Sequence, residues 1–103
     1  MENQLTDLKE SLKLLLGDSL IKMVLFGSRA RGDYDEDSDI DIAIIVRSLS
    51  KELKNEIFNQ VAEIELKYLR SISSIIFSET EFNRLKERER RVALDIESEG
   101  ILL

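Results

Sequence analysis

Leu5, Leu8, Leu12 and Leu15 recur at three- and four-residue spacing among polar neighbours, which predicts an amphipathic helix over residues 4–16 that stops near Gly17. "IKMVLF", Ile21 to Phe26, is a short apolar run ended by Gly27, and it predicts a buried strand. Residues 28–38 are polar, with a second glycine at 32. Ile40 to Val46 is rich in β-branched residues and predicts a second strand. Ser48 or Ser50 can cap a following helix whose apolar stripe is Leu53, Ile57, Val61, Ile64 and Tyr68. "ISSIIF", residues 72–77, predicts a third strand. Ser78 with Glu81 three positions later forms a capping-box pattern for a last helix, with Phe82, Leu85, Val92 and Ile96 inward. The run "KERERR", Lys86 to Arg91, interrupts that stripe at Glu89 and reads as a solvated helix face, with a partner-binding surface as the alternative. The expected order is α-β-β-α-β-α: a small α+β layer sandwich of one domain over residues 1–103.

Composition narrows the chemistry. The chain has neither cysteine nor histidine. A disulfide framework, a thiolate zinc site and the usual neutral-pH general base are therefore excluded. No apolar run reaches the length of a bilayer span and the N-terminus shows no signal-peptide pattern, so a cytoplasmic protein with no membrane association is expected. A formal net charge of −6 disfavours non-specific attraction to nucleic acid, and direct nucleic-acid binding is not expected.

One local feature stands out against this background. Asp33, Asp35, Glu36, Asp37, Asp39 and Asp41 put six carboxylates into nine residues, immediately before an apolar strand. Asp39 and Asp41 are two apart, so on a strand they share a face, whereas Ile40, Ile42, Ile44 and Val46 share the other. The isoleucine face is expected to be the core and the aspartate face to avoid it. Two adjacent carboxylates repel, and a hard divalent cation resolves the repulsion. Mg2+ suits such a pair because it completes its shell with phosphate oxygens and water. Upstream, Gly27 allows close backbone approach to a phosphate, Ser28 offers a hydroxyl and an N–H, and Arg29 and Arg31 add charge that is either for phosphate or for the neighbouring acids. An EF-hand starting at Asp33 fails, because Ser38 and Ile44 stand where glycine and glutamate belong; a P-loop on Gly27 and Gly32 fails, because Asp33 stands at the lysine position. The remaining carboxylates of the run read as solvated loop residues.

The stretch "GSRARGDYDEDSDID", Gly27 to Asp41, resembles the Gly-Ser…Asp-x-Asp signature of the polymerase-β-like nucleotidyltransferases, with ten residues between Ser28 and Asp39. In its short form the chain looks like the minimal nucleotidyltransferase (MNT) group, whose sandwich has a mixed sheet. The resemblance implies that Gly27, Ser28 and Arg29 hold the phosphates of ATP or another NTP, that Gly32 lets the loop turn, and that Asp39 and Asp41 are both catalytic and metal ligands for Mg2+. The family normally draws a third acid from a later strand. Here that strand reads Ile72-Ser73-Ser74-Ile75, with Ser74 the favoured replacement position; Glu63, Glu65 and Glu79 are the candidate substitutes.

The activity implied is transfer of AMP from ATP onto a hydroxyl. Its expected acceptor is a tyrosine of a helical HEPN-type toxin, which the MNT partner neutralises; a homo-oligomer is also compatible. The alternative is a non-catalytic antitoxin that masks its partner and keeps a weakened nucleotide site. Modification of a small molecule such as an antibiotic is a third reading, disfavoured by the size of the chain.

Overall fold

The computed structural model describes residues 2–103 except Tyr34 and Glu36, with Glu2 described by its backbone alone. Glu36, one of the six clustered carboxylates, thus lies outside the described residues. Helix α1 spans Glu2–Leu16, and a single 3-10 turn at Gly17–Ser19 leads into strand β1, Leu20–Phe26. The short helix α2 (Ser28–Arg31) and the acidic loop precede β2, Ile40–Val46. Helix α3 (Lys51–Tyr68), β3 (Ile72–Ser78), α4 (Glu79–Glu87), α5 (Arg91–Glu99) and β4 (Ile101–Leu102) follow.

The sheet order is β3-β2-β1-β4. β1 is antiparallel to β2 and to β4, whereas β2 and β3 are parallel, so the sheet is mixed. The parallel pair requires the crossover that α3 supplies. Ser50, not Ser48, caps that helix, accepting a hydrogen bond from the Leu53 N–H at 3.0 Å. Ser78 likewise accepts from the Glu81 N–H at the start of α4.

Both faces of the sheet are covered. On one, Leu5, Leu8, Leu12 and Leu16 of α1 and Ile57, Val61 and Ile64 of α3 pack on Ile40, Ile42, Ile44 and Val46. Leu16 takes the last inward position of α1, and Leu15 sits at the edge of this core. On the other, Phe82 of α4 and Ala93 and Ile96 of α5 pack on Val24, Ala43, Ile45 and Phe77. The expectation that the aspartate face of β2 avoids the core is therefore corrected. Ala43 and Ile45 continue the line of Asp41, and they are as deeply buried as the isoleucines behind them. Alternation fails to reveal this because a central strand is apolar on both faces. On that face of β2 only Asp41, near the start of the strand, emerges from the second core, with Asp39 exposed just before it.

The final helix is two helices. Glu89 has φ 55°, a left-handed value that no helix interior accommodates, and Arg90 N–H turns back to the Leu85 carbonyl at 2.9 Å. The break lets α5 pack against β1. Gly100 then enters β4 where a Cβ would lie 2.2 Å from the Ile96 carbonyl oxygen and 2.3 Å from Val24 Cγ1. Two-residue β4 carries no period that a sequence pattern could show.

Candidate functional site

β1 ends in a turn that only glycine makes easily. Gly27 has φ 74° and ψ −157°, a region reserved almost wholly for glycine. Its carbonyl accepts the N–H groups of Ala30 and Arg31, and the Ser28 carbonyl accepts those of Gly32 and Asp33. Gly32, at φ 86°, closes the turn, as its place in the loop predicts. The backbone N–H and hydroxyl of Ser28 take no part in these closing bonds. α2 is a single turn, too short for a helix dipole to matter, so any donor to an anion here is a local N–H or hydroxyl.

The sheet brings the second half of the motif to this turn. Asp41 lies opposite Phe26, the residue before Gly27. A Cβ on Gly27 would stand 2.3 Å from Asp41 Oδ2 and 3.1 Å from its Cγ. The Asp41 carboxylate thus rests directly on the Gly27 backbone, in space that any other residue would fill. Asp39, two residues earlier, is exposed at the start of the strand. Burial and then the Asp39 charge push the Asp41 carboxyl above its ordinary value, while Arg31 pulls in the opposite direction.

The two arginines are engaged with protein groups. Arg29 places Nε and Nη2 on the Ser38 carbonyl, at 3.3 and 2.9 Å, and so braces the loop immediately before Asp39. Arg31 bonds Asp33 at 3.3 Å and Glu99 of α5 at 3.1 Å. This tie from the last turn of α5 to the site is invisible in the sequence, since its partners are 68 positions apart. Asp35 and Ser38 close the loop on themselves: Asp35 Oδ1 accepts from the Asp37 N–H and the Ser38 hydroxyl.

Register identifies the neighbour of Asp41 on β3. Asp41 pairs with Ser73 and Ile42 with Ser74. Paired residues of parallel strands point the same way, so Ser73 shares the face of Asp41 while Ser74 lies with Ile72 and Ile76 on the other. The preference for Ser74 as the replacement position is corrected to Ser73. The proposed substitutes fare no better. Glu65 accepts the Ile72 N–H at 2.9 Å and belongs to the α3–β3 junction. Glu79 follows the far end of β3, about 16 Å or more along the strand from Ser73. Glu63 is an exposed residue of α3.

Among the described residues no group of three or more carboxylate, histidine or cysteine side chains converges. The donor set at the motif is two carboxylates, with the Ser73 hydroxyl beside them. That set fits Mg2+ held jointly with phosphate oxygens and water.

Comparison with known proteins shows the family. The family model described as "Nucleotidyltransferase domain" matches residues 5–102. Two proteins of Methanocaldococcus jannaschii, each carrying the name "Putative protein adenylyltransferase", are similar to the chain. One is 40% identical over 75 residues, 72% of this chain and 76% of its own. The other is 36% identical over 83 residues, 81% of this chain and 79% of its own. The crystal structure of a "putative nucleotidyltransferase" from Sulfolobus solfataricus superimposes over 98% of this chain and 82% of its own, with TM-score 0.55 and 25% identity. A mutant of the toxin–antitoxin complex MntA–HpeT contains a chain with TM-score 0.55 and 19% identity, covering 99% of this chain and 71% of that one; this likeness concerns the fold.

Proposed function

As this chain belongs to the nucleotidyltransferase domain family, we propose that it transfers AMP from ATP onto a hydroxyl of a partner protein, a tyrosine of a HEPN-type helical toxin, and thereby neutralises it. The observation that carries this reading is the contact of the Asp41 carboxylate with Gly27. It makes the phosphate turn and the aspartate pair one site instead of two adjacent motifs. The names of the M. jannaschii relatives support protein as the acceptor class, and the MntA–HpeT complex supports an antitoxin setting.

In this mechanism the Gly27–Ser28 turn receives the triphosphate, with the Ser28 N–H and hydroxyl donating to its oxygens. Asp39 and Asp41 would hold Mg2+, which supplies positive charge against the phosphates and the departing pyrophosphate. The acceptor oxygen attacks the α-phosphorus, the bond to pyrophosphate breaks, and the hydroxyl proton leaves to a carboxylate or to water, since the chain has no histidine to take it. Arg29 keeps Asp39 in place through the Ser38 carbonyl, and Arg31 moderates the charge at Asp41.

The test is label transfer from ATP to the partner protein. Label in the α-phosphate should appear on the partner, label in the γ-phosphate should not, and Asp41→Asn should reduce transfer by roughly two orders of magnitude or more. Equal transfer by the variant would remove the aspartate pair from the mechanism. A second reading, an antitoxin that acts by covering its partner, is favoured by one observation: Ser73, not an acid, stands beside Asp41 on β3, the strand that the resemblance expects to supply a third acid. In that case Asp41→Asn neutralises the partner as well as the wild type does.

A further inference from the structure

Helix α3 has two apolar stripes, and the core uses only one. Ile57, Val61 and Ile64 face the sheet. Phe58, Ala62, Leu66 and Leu69 follow at spacings of four, four and three, a second continuous line on the outer side of the same helix. Phe58 is 39% exposed, Leu66 76% and Leu69 85%. Isolated apolar residues at a surface need no explanation, but a line of them at helix-packing periodicity does.

Leu69 adds an independent observation. It ends α3 with φ 53° and ψ 46°, the left-handed conformation that helices ordinarily give to glycine or asparagine. A leucine there bears strain, and with its side chain in solvent it recovers nothing from the core. The fold alone would favour glycine.

The stripe leads towards the candidate site. A shallow hollow of about 490 Å3 is lined by Glu65, Leu66, Leu69, Arg70 and Ser71, among others. A second hollow shares Leu69, Arg70 and Ser71 with it and reaches Asp37 and Ser38 of the acidic loop. The Ser71 carbonyl in turn accepts the N–H of Ile40, between Asp39 and Asp41. This end of the surface is acidic: Glu65 and Asp37 line the two hollows, and Asp35 and Asp39 are exposed in the adjoining loop, against Arg70.

We propose that the outer stripe of α3 receives a helix of a partner protein, one that is apolar along one side and lysine- or arginine-rich at the end lying against Asp37. A partner so docked has its basic end at Asp37 and Ser38, the loop residues that run into Asp39, where a hydroxyl could be presented. That last consequence rests on the proposed transfer activity; the docking face does not.

The probe is a synthetic amphipathic helical peptide with a leucine stripe and lysines clustered at one end, compared with a twin bearing glutamate for lysine. Binding is followed by fluorescence anisotropy without nucleotide or metal. The wild type and Asp41→Asn should bind the basic peptide alike and the acidic twin far more weakly. Leu66→Gln and Leu69→Gly should each weaken binding about tenfold or more. Leu69→Gly should at the same time melt higher than the wild type, so that lost binding cannot be ascribed to lost folding. Equal affinity for both peptides, no binding of either, or full affinity in the two leucine variants would overturn the proposal. So would concentration-dependent self-association abolished by those variants, which would assign the stripe to a second copy. Retained peptide binding in Asp41→Asn separates the fate of this surface from that of the catalytic reading.

Discussion

At the scale of single residues, Asp41 is placed where folding alone would not put a carboxylate. Burial and Asp39 raise its carboxyl above the ordinary value, so its charged form is disfavoured in the native state. A group whose pKa is raised on folding contributes stability below its unfolded value, and that contribution disappears as pH rises through the folded value. At neutral pH the charge is therefore a liability for the empty domain. Asp41→Asn should raise Tm at neutral pH in the absence of ligand, with the difference from wild type narrowing on acidification into the carboxylate range. The same variant should lose the stabilisation that Mg2+ and ATP give the wild type, about 2.7 kcal/mol at a hundredfold excess over Kd. A variant no more stable than wild type would mean that the pair is not strained. Gly27→Ala tests the opposite side of the contact. It should cost about 1–3 kcal/mol through its backbone conformation alone and, by displacing the Asp41 carboxylate, also reduce the nucleotide-dependent shift.

At the scale of elements, the helices owe their placement to caps and tertiary contacts in different proportions. α3 has a side-chain cap at its start, and Ser50→Ala should lower stability by about 1 kcal/mol in chemical denaturation, with an unchanged m-value. An unchanged midpoint would show that packing of Ile57, Val61 and Ile64 fixes the helix start without the cap. α4 and α5 illustrate a different rule. Phe82, Leu85, Val92 and Ile96 do face inward, as their spacing predicts, and the interruption at Glu89 is the point where the chain turns. A charged run with good helix propensity reads locally as continuous helix. The break arises because Ala93 and Ile96 reach the sheet only if the second helix leaves the line of the first, a long-range requirement that overrides propensity.

At the scale of the whole molecule, the sheet is clasped between α1 and α3 on one side and α4 and α5 on the other, with polar ties between neighbouring helices. Asp7 of α1 accepts from the Tyr68 hydroxyl and from Lys67 Nζ at the end of α3. The Tyr68 hydrogen bond first, and Lys67 after it, hold the Asp7 carboxyl below its ordinary value. This sign is the reverse of that at Asp41. Asp7 stabilises the fold above the ordinary carboxylate range, and its contribution is lost as pH falls through its lowered native value. Asp7→Asn should thus lower Tm at neutral pH and converge on the wild type in acid. Its effect should be modest, because the lysine partner is exposed and salt-screened. Melting curves of the two proteins across that pH range check both the sign and the convergence.

The sequence by itself determined the succession of helices and strands through β3, the Gly27–Ser28 and Asp39/Asp41 pairs, and the face that α1 and α3 bury. Each is a matter of local periodicity or of motif spacing within a few turns of chain. The tertiary structure decided what depends on register and on distant partners. It set Ser73, not Ser74, beside Asp41, because the parallel pairing of β2 with β3 fixes which side chains share a face. It buried the second face of β2, divided the last helix and added β4, because those outcomes belong to the packing of α4 and α5 on the sheet. It also tied Arg31 to Glu99 across 68 positions. No short-range pattern encodes such a meeting; only the closing of the fold brings the two ends together.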